Sequence, residues 1–380
     1  MPGICLLFRL EMPLKVHPYS FFDLGVQHEY IHQAKLLADF QQDVEQTYVP
    51  FFEGILPILK NTPLCFSLSI QGLALRNLFK SSPRLSEVLK DTTETGSTGL
   101  LAEPVADSLA FLHDRKEFSR QLESHGLLLH QHLRQTPYYI RNTQLLYHNF
   151  LGYFAAVHGY QGIITSGVDR FMHGRSPHFL YQPPHTPKVN LLMIDQGLSN
   201  YLVQTLNGDH NREQFLQGLE SSYHDDWVVL EVPLLALAKK GEQVVTSQIE
   251  FFSDWVGFVE SSHAWEFVLP ENISQEVPKG TYNCPSFNMP AHGGDQIGNF
   301  YGNALQAEAI ETVFGLRDEV LSTEHYPTIR MWEMLQGARF FHWMGYHENG
   351  QNPFGGPQRA YAAYMLMLAD FQQTLQQRAS

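Results

Sequence analysis

The chain is poor in cysteine and in basic charge, and each deficit excludes a class of protein. Cys5, Cys65 and Cys284 are an odd number of cysteines, widely separated and without C-x-x-C or Cys/His spacing. This pattern excludes a disulfide framework and a zinc finger, and it predicts reduced thiols in a cytoplasmic protein. The 25 lysines and arginines stand against 39 acidic residues, a net charge of −14. A nucleic-acid partner is therefore not expected.

Long apolar runs are missing as well. No window approaches the roughly 20 apolar residues that cross a bilayer, so no membrane partner is predicted. The first run, MPGICLLFRLEMPLK, lacks a basic leader and a small-residue cleavage site, and Arg9 and Glu11 interrupt it. It does not have the pattern of a signal peptide.

Motifs for phosphate binding and for serine hydrolysis are also missing. The sequence contains no G-x-G-x-x-G, no G-x-x-x-x-G-K-[ST] and no G-x-S-x-G, which excludes the common nucleotide, dinucleotide and hydrolase-elbow patterns. Among the 19 histidines, His125, His130 and His132 share one predicted helix. Residues 130 and 132 point to different faces, so we interpret the three as solvated side chains. We predict no cofactor and no metal.

What the sequence does contain is a series of short β-rich runs separated by segments of helical character. The runs cover residues 4–10, 64–70, 98–104, 138–143, 161–167, 189–194 and 227–232, with 265–270 as an eighth candidate. Apolar strands that alternate with helices indicate a parallel sheet covered on both faces, and about seven repeats nearly close a barrel. We predict an α/β fold, an incomplete TIM-like (β/α)7 barrel.

Around residues 283–299 the composition changes to a stretch rich in Pro, Gly and Asn, and three helical patterns follow it. Such a stretch is typical of a linker or a long loop. We therefore predict two domains, a barrel at residues 1–282 and a helical domain at residues 283–380.

Polar residues at the C-terminal ends of barrel strands are the candidates for a functional site. Such positions are held by Glu11, Glu103, Arg141, Asn142, Gln144 and Glu231. The aromatic residues Tyr147, Trp227 and Trp343 flank them in our interpretation and are candidates for stacking on a ligand, although core packing explains most of the 13% aromatic content. His292 and Asp295, in the loop sequence AHGGDQ, are weak evidence for any chemistry.

The order of these stretches resembles the α-amylase-like branch of glycoside hydrolase family 57 along nearly the whole chain. ICLLFRLEMPLKVHPYSFFDLG is similar to that family's first strand and loop, YYIRNTQLLYHN to its fourth strand, and FYGNALQAEA with PQRAYAAYMLMLADFQ to its helical domain. The resemblance implies an incomplete barrel of seven βα units with a helical C-terminal domain. It also implies α-glucan substrates, a retaining mechanism without a metal, and a cytoplasmic setting.

The resemblance breaks at the positions that would carry the chemistry. The family's His-Gln-Pro appears as Glu11-Met12-Pro13, and the nucleophilic glutamate of its Arg-Asn-Thr-Glu run corresponds to Gln144. The acid/base aspartate corresponds to Glu231 in WVVLEVPLLALA. A Leu-Ser-Asp sequence appears as Leu198-Ser199-Asn200, and a Ser-Asp pair bordering the cleft appears as Ala338-Arg339. The ligand-binding candidates therefore include Asn200 and Arg339.

These changes predict impaired catalysis. A glutamine amide is uncharged and a poor nucleophile, so covalent catalysis at residue 144 should be lost. Glu231 retains the capacity to donate a proton where burial raises its pKa. The leading hypothesis is a family-57-like protein of α-glucan (glycogen or maltooligosaccharide) metabolism that acts by binding an α-glucan or another carbohydrate.

Two alternatives stay open. The first is an active hydrolase or 4-α-glucanotransferase that uses relocated carboxylates, with Glu11 and Glu231 facing each other and Glu103 nearby. The second is a structural or interaction protein whose cleft is filled, which the apolar stretch VPLLALA favours. Whether the protein is an enzyme, its protein partners and its oligomeric state are left undecided by the sequence.

Overall fold

Seven parallel strands form the centre of the fold in a computed structural model that describes residues 2–221, 227–237, 242–262, 264–273, 276–346 and 352–379. They are β1 (Gly3–Leu10), β2 (Phe66–Ile70), β3 (Thr98–Ala102), β4 (Tyr139–Arg141), β5 (Gly162–Thr165), β6 (Asn190–Met193) and β7 (Trp227–Pro233). In space they follow the order β7-β1-β2-β3-β4-β5-β6, with parallel pairing throughout.

The sheet curls so that its edge strands β6 and β7 meet at a seam, where one parallel bridge is present among the described residues. Ile194, directly after β6, bridges to Val229 of β7, and the backbone N–H of Asp195 donates to the carbonyl of Val229 at 2.9 Å. Every other pair of neighbouring strands is joined by a continuous ladder of paired residues. The contrast shows that the barrel of seven βα units is incomplete at this seam. The predicted fold class is confirmed, and each of the seven predicted strands is found in its place.

The eighth candidate strand, 265–270, does not belong to the barrel. It forms a two-residue strand, Glu266–Phe267, that pairs with the first residues of β1. The described part of the chain contains four other two-residue strands. Tyr181–Gln182 and Gly280–Thr281 extend the sheet beside β6, and Pro290–Ala291 pairs with Gly294–Asp295 as an antiparallel hairpin.

Helices follow most strands and cover the sheet. The described residues contain α-helices at Gln33–Asp43, Val49–Asn61, Gly72–Ser81, Pro83–Glu94, Ala110–His113, Arg115–Leu133, Asn149–Val157, Asp169–Met172, Gln196–Leu206, Arg212–Ser221, Glu242–Ser262, Pro270–Ile273, Gly298–Tyr301, Ala304–Gly315, Arg317–Ser322, Tyr326–Leu335, Ala338–Trp343 and Pro357–Ala379. Single turns of other helix types lie at Phe21–Asp23, Val44–Tyr48, Val105–Asp107, Thr143–Leu145 and Leu234–Ala236. The three helical patterns predicted after residue 299 are present, although Leu316 divides the first into two helices and Gly337 divides the second.

The strands are apolar on both faces, and this explains why they form a barrel. Alternate side chains point to the inside, where Cys5, Leu7, Leu101, Ile164 and Leu192 belong to one buried cluster with neighbours from every strand except β2. The intervening side chains, such as Ile4, Leu6 and Phe8 of β1, are also fully buried. A strand buried on both sides requires a near-continuous apolar sequence, as observed here.

Two compact units make up the described chain. The first contains residues 1–11, 40–103 and 124–295, and the second contains residues 12–39, 104–123 and 296–380. Neither unit is a continuous stretch of sequence. The boundary between residues 282 and 283 stays a prediction. Within the described residues, no helix combines the length and the apolar character that crossing a membrane requires.

Candidate functional site

The inward-facing side chains of the barrel change from apolar to charged at the C-terminal ends of the strands. Side chains two residues apart on a strand point to the same face, so Arg9 follows Leu7, Glu103 follows Leu101, Arg141 follows Tyr139 and Glu231 follows Val229 along the inside. We call Arg9, Ser69, Glu103, Arg141 and Glu231 the charged layer. It occupies the end of the barrel at which TIM-like folds carry their active sites.

The strongest contact of the charged layer joins Arg141 and Glu231. The Nε and Nη2 atoms of Arg141 donate to the two carboxylate oxygens of Glu231 at 2.5 and 3.0 Å. The side chains are 4% and 13% exposed. Burial alone would raise the pKa of the Glu231 carboxyl, but Arg141 and then Arg9 offset this effect, and the pKa lies below its usual value. Glu231 is therefore ionised at neutral pH.

Glu103 lies between the two arginines of the layer. Its Oε1 atom is 3.7 Å from Nε of Arg9 and 4.0 Å from Nη1 of Arg141, and the Ser69 hydroxyl donates to it. Its side chain is 2% exposed. Arg9 also contacts Glu11 at 3.0 Å, and Glu11 is the more exposed of the two. Three of the predicted carboxylates thus share two guanidinium groups.

His125 supports Glu103 from the helix behind it. The backbone N–H of Glu103 donates to Nδ1 of His125 at 3.3 Å, and Nε2 of the same ring contacts the carbonyl of Ile70 at 2.7 Å. Burial lowers the pKa of His125 to about 4, so the ring is neutral. The interpretation of His125 as a solvated helix residue is wrong, because its side chain is completely buried.

Gln144 lies in a turn of unusual backbone geometry directly after β4. Its φ and ψ angles are 49° and 28°, and Leu145 also has a positive φ of 56°. Left-handed backbone costs a residue with a side chain about 1–2 kcal/mol. The turn is held by Asn142, whose side chain accepts from Thr143 N–H at 2.8 Å and donates to the Leu146 carbonyl at 2.9 Å. Asn142 is buried and positions the turn, and Gln144 is half-buried.

Three of the predicted ligand contacts lie away from the charged layer. Trp227 is the first residue of β7 and pairs with Gly3, so it packs inside the barrel at the N-terminal end of the strands. Tyr147 is fully buried against Tyr282 and offers no surface to a ligand in this arrangement. Asn200 does not end a strand, because it lies on helix Gln196–Leu206, exposed and 3.4 Å from His292.

The remaining two predicted residues lie in the second unit. Arg339 is exposed on helix Ala338–Trp343, with its guanidinium 5.7 Å from the centre of the Trp343 ring. Trp343 is half-buried and also packs edge-on against Phe340 and Phe354. The contact between Arg339 and Trp343 is a cation–π pair.

One motif in the sequence was not among the predicted sites. Residues 28–32, HEYIH, match H-E-x-x-H, which on a helix would place two histidines on one face for zinc. Here the segment precedes helix Gln33–Asp43 and is extended around the bridge between Val16 and Ile31. His28 contacts Asp370 at 2.7 Å, whereas the His32 ring packs at a tilt against the His17 ring. Across the described ranges, no group of three His, Cys, Asp or Glu side chains is arranged to hold a metal ion.

Sequence reasoning also passed over Arg9 and Ser69 as members of a site. Arg9 had a visible signal, since an arginine inside the otherwise apolar run ICLLFRL must find a buried partner. Ser69 had none, because FSLSI is a common strand pattern.

The seven parallel strands, with polar and charged side chains at their C-terminal ends, place the chain in the class of incomplete (β/α)7-barrel proteins. The chain belongs to glycosyl hydrolase family 57, whose model matches residues 6–280. A curated protein of Methanocaldococcus jannaschii, described as "Putative alpha-amylase", is 28% identical over 153 residues, which is 40% of this chain. The match covers 33% of that relative.

Solved structures with the same fold include three enzymes at low sequence identity. A 4-alpha-glucanotransferase from Thermococcus litoralis has a TM-score of 0.70 at 12% identity, over 98% of this chain and 60% of that one. A GH57-type branching enzyme from Pyrococcus horikoshii has a TM-score of 0.69 at 9% identity, over 96% and 88%. The alpha-amylase AmyC from Thermotoga maritima has a TM-score of 0.63 at 10% identity, over 99% and 94%. At these identities the likeness concerns the fold.

Proposed function

We propose that the protein binds an α-glucan or a related carbohydrate without cleaving it by the two-step retaining reaction. The observation that carries the proposal is the ion pair between Arg141 and Glu231. A general acid must hold a proton at working pH, and enzymes achieve this by raising the pKa of a carboxyl. The pKa of Glu231 is lowered instead, after the arginine offsets the effect of burial.

The residue in the family's nucleophile position supports the same conclusion. Gln144 follows an intact Arg141-Asn142-Thr143 sequence, and its amide cannot form the glycosyl-enzyme intermediate of a retaining enzyme. An amide does donate and accept hydrogen bonds, so it remains suited to contact sugar hydroxyls. The acid and nucleophile positions therefore both argue against cleavage.

The relocated-carboxylate alternative is disfavoured by what lies between the carboxylates. Arg9 bridges Glu11 and Glu103, and Arg141 bridges Glu103 and Glu231. Each carboxylate that this alternative would use is therefore paired with a guanidinium group, which opposes its use as an acid or as a partner of the attacking water. The filled-cleft alternative receives some support from the same atoms, because Arg9, Glu103 and Arg141 are all less than one-tenth exposed. The buried side chains at this end of the barrel are charged, whereas the filled-cleft alternative rested on the apolar stretch VPLLALA.

Maltooligosaccharide titration and turnover, measured on the same preparation, test the proposal. We expect heat of binding in calorimetry, and no released reducing ends from either the natural protein or Gln144→Glu, since Glu231 remains tied to Arg141. Turnover by the natural protein that Glu231→Gln abolishes would support the active alternative. No heat at millimolar ligand would support the filled-cleft alternative.

A cytoplasmic setting belongs to this proposal. The three cysteines are free thiols, and burial raises the pKa of both Cys65 and Cys284 to about 12. Thiols of this kind are unreactive and are typical of reduced compartments.

A further inference from the structure

A cavity open to the surface lies at the same end of the barrel, beside the seam. It has a volume of about 480 Å³ and is bordered by Ser166 and Gly167 after β5, and by Ile194 and Asp195 after β6. Pockets of roughly 300–1,000 Å³ are typical of small-molecule sites. The hairpin at residues 290–295 contributes His292 and Gly293 to its wall. We call this cavity the seam cleft.

The wall of the seam cleft is held rigidly. Gln196 donates from Nε2 to the Pro290 carbonyl at 3.2 Å and accepts the N–H of His292, which ties the hairpin to helix Gln196–Leu206. Asp169 donates its N–H to the carbonyl of Gly293 at 2.8 Å. Gly293 lies so close to the Asp169 carboxylate that an added Cβ would be 2.7 Å from its oxygens. Fixed walls reduce the ordering that a ligand must impose.

The charged side chains of the seam cleft disfavour anionic ligands. Asp195 accepts from Leu198 N–H at 2.8 Å and contacts His178 at 2.7 Å, and a carboxylate so placed has lone pairs left for further donors. Arg175 donates to the carbonyls of Met172, Thr281 and Phe171. Its guanidinium therefore stabilises the backbone of the wall and does not offer its charge to a ligand. Two carboxylates in the wall disfavour an anionic ligand.

The remaining chemistry fits a neutral molecule with many hydroxyl groups. Asp169 and Asp195 supply acceptors, and His292 supplies a ring nitrogen at the rim, next to Asn200. Met172, Pro177 and Ile194 supply apolar surface for the C–H face of a sugar ring. Hydrogen-bonding groups that converge over apolar surface are the usual composition of a small-molecule pocket.

We propose that the seam cleft binds a saccharide unit, with Asp169, Asp195 and His292 as its hydrogen-bond partners, and that carbohydrate binding takes place here rather than on the charged layer. This inference rests on the proposed carbohydrate-binding function and assigns it a location. It also gives a role to Asn200, which the sequence predicted as a ligand contact and which contacts His292.

Calorimetry of the full chain with maltotetraose tests the location. Asp169→Asn keeps the shape of the wall and removes a charged acceptor. Gly197→Phe places a ring in the cleft from a position with ordinary backbone angles, where an added Cβ meets only Oδ1 of Asp195, at 3.3 Å. Asp91→Asn, in a separate surface depression formed by residues such as Lys60 and Glu94, is the matched control.

We expect Asp169→Asn to weaken maltotetraose binding by about tenfold, the usual effect of losing a charged hydrogen-bond partner. Gly197→Phe should abolish maltotetraose binding, and Asp91→Asn should leave it unchanged. Unchanged affinity in both cleft variants, with wild-type binding intact, would overturn the location and leave the proposed function standing. Failure of the natural protein itself to bind would overturn the proposed function and this inference with it. Circular dichroism melts confirm that each variant is folded.

Discussion

At the scale of single residues, the buried pair of Arg141 and Glu231 has a large expected effect on stability. Both side chains are removed from water, and the carboxylate accepts two hydrogen bonds from one guanidinium. Removing one partner of a buried pair leaves a desolvated charge behind, which is far more costly than losing an exposed pair. Nearby Glu103 compensates only in part, since its contact with Arg141 is 4.0 Å long.

We therefore predict that Glu231→Gln lowers the free energy of unfolding by about 3 kcal/mol, measured by urea denaturation. The control is Glu53→Gln, because Glu53 and Arg84 have the same two-bond geometry on the surface, at 2.7 Å each. Exposed pairs contribute little, so this variant should unfold like the natural protein. Equal losses in both variants would contradict the buried character of the first pair.

At the scale of structural elements, the hairpin at residues 290–295 depends on a glycine. Gly293 has a φ of 80° and faces the Asp169 carboxylate, so any side chain there suffers both backbone strain and a steric clash. We predict that Gly293→Ala lowers the free energy of unfolding by more than about 1 kcal/mol.

Gly298→Ala is the control for the hairpin prediction. Gly298 begins a short helix, has no strained φ and has nothing within 4 Å of an added Cβ, so stability should be unchanged or slightly raised. Thermal unfolding of the two variants beside the natural protein makes the comparison. A Gly293→Ala melt that coincides with that of Gly298→Ala would show that the hairpin adapts without cost.

The sequence predicts these elements better than it predicts their contacts. Runs such as LCFSLSI and VNLLMI are recognisable as strands because apolar and β-branched residues cluster between polar turns. The turn at Gln144 could not be predicted, since nothing in RNTQLL marks two successive left-handed residues. His125 was misjudged because its helix is polar enough to suggest solvent exposure on any face.

The contacts within the charged layer could not be predicted from the sequence for a different reason. Arg141 and Glu231 are 90 positions apart in the sequence, and their contact depends on the register of strands that are not sequence neighbours. The candidate residues could be named from their strand-end positions, but their partners could not. The same limit applies to the seam cleft, where β5, β6 and a hairpin more than a hundred residues downstream of β5 meet.

At the scale of the whole molecule, several buried groups make stability depend on pH. The pKa of His125 is lowered by burial from 6.5 to about 4. Between these pH values the His125 ring is protonated in the unfolded chain and neutral in the folded chain. Stability then rises with pH across that interval and is lost as the pH falls below 6.5. The carboxyls of Glu231, Asp195 and Asp370 also have lowered pKa values, after their partners offset the effect of burial.

We predict a two-stage loss of stability on acidification, measured as the free energy of unfolding in urea at successive pH values. The first stage, below pH 6.5, comes from His125, and the second, below pH 4.5, comes from Glu231 and the other carboxyls. In Glu231→Gln the second stage should shrink while the first persists. A profile that is flat between pH 7 and 5 would show that His125 accepts its proton in the folded state.

The seam closed by the bridge between Ile194 and Val229 is a weakly connected part of the described barrel. Helix Gln196–Leu206 begins directly behind it, and the Ser199 hydroxyl accepts the N–H of Glu231 across the same seam at 3.0 Å. Sub-global opening starts where few backbone hydrogen bonds must break. Opening of the barrel at this seam would separate Asp195 from β7 and break the hydrogen bond between Ser199 and Glu231 in one movement, so the seam cleft and the charged layer would change together.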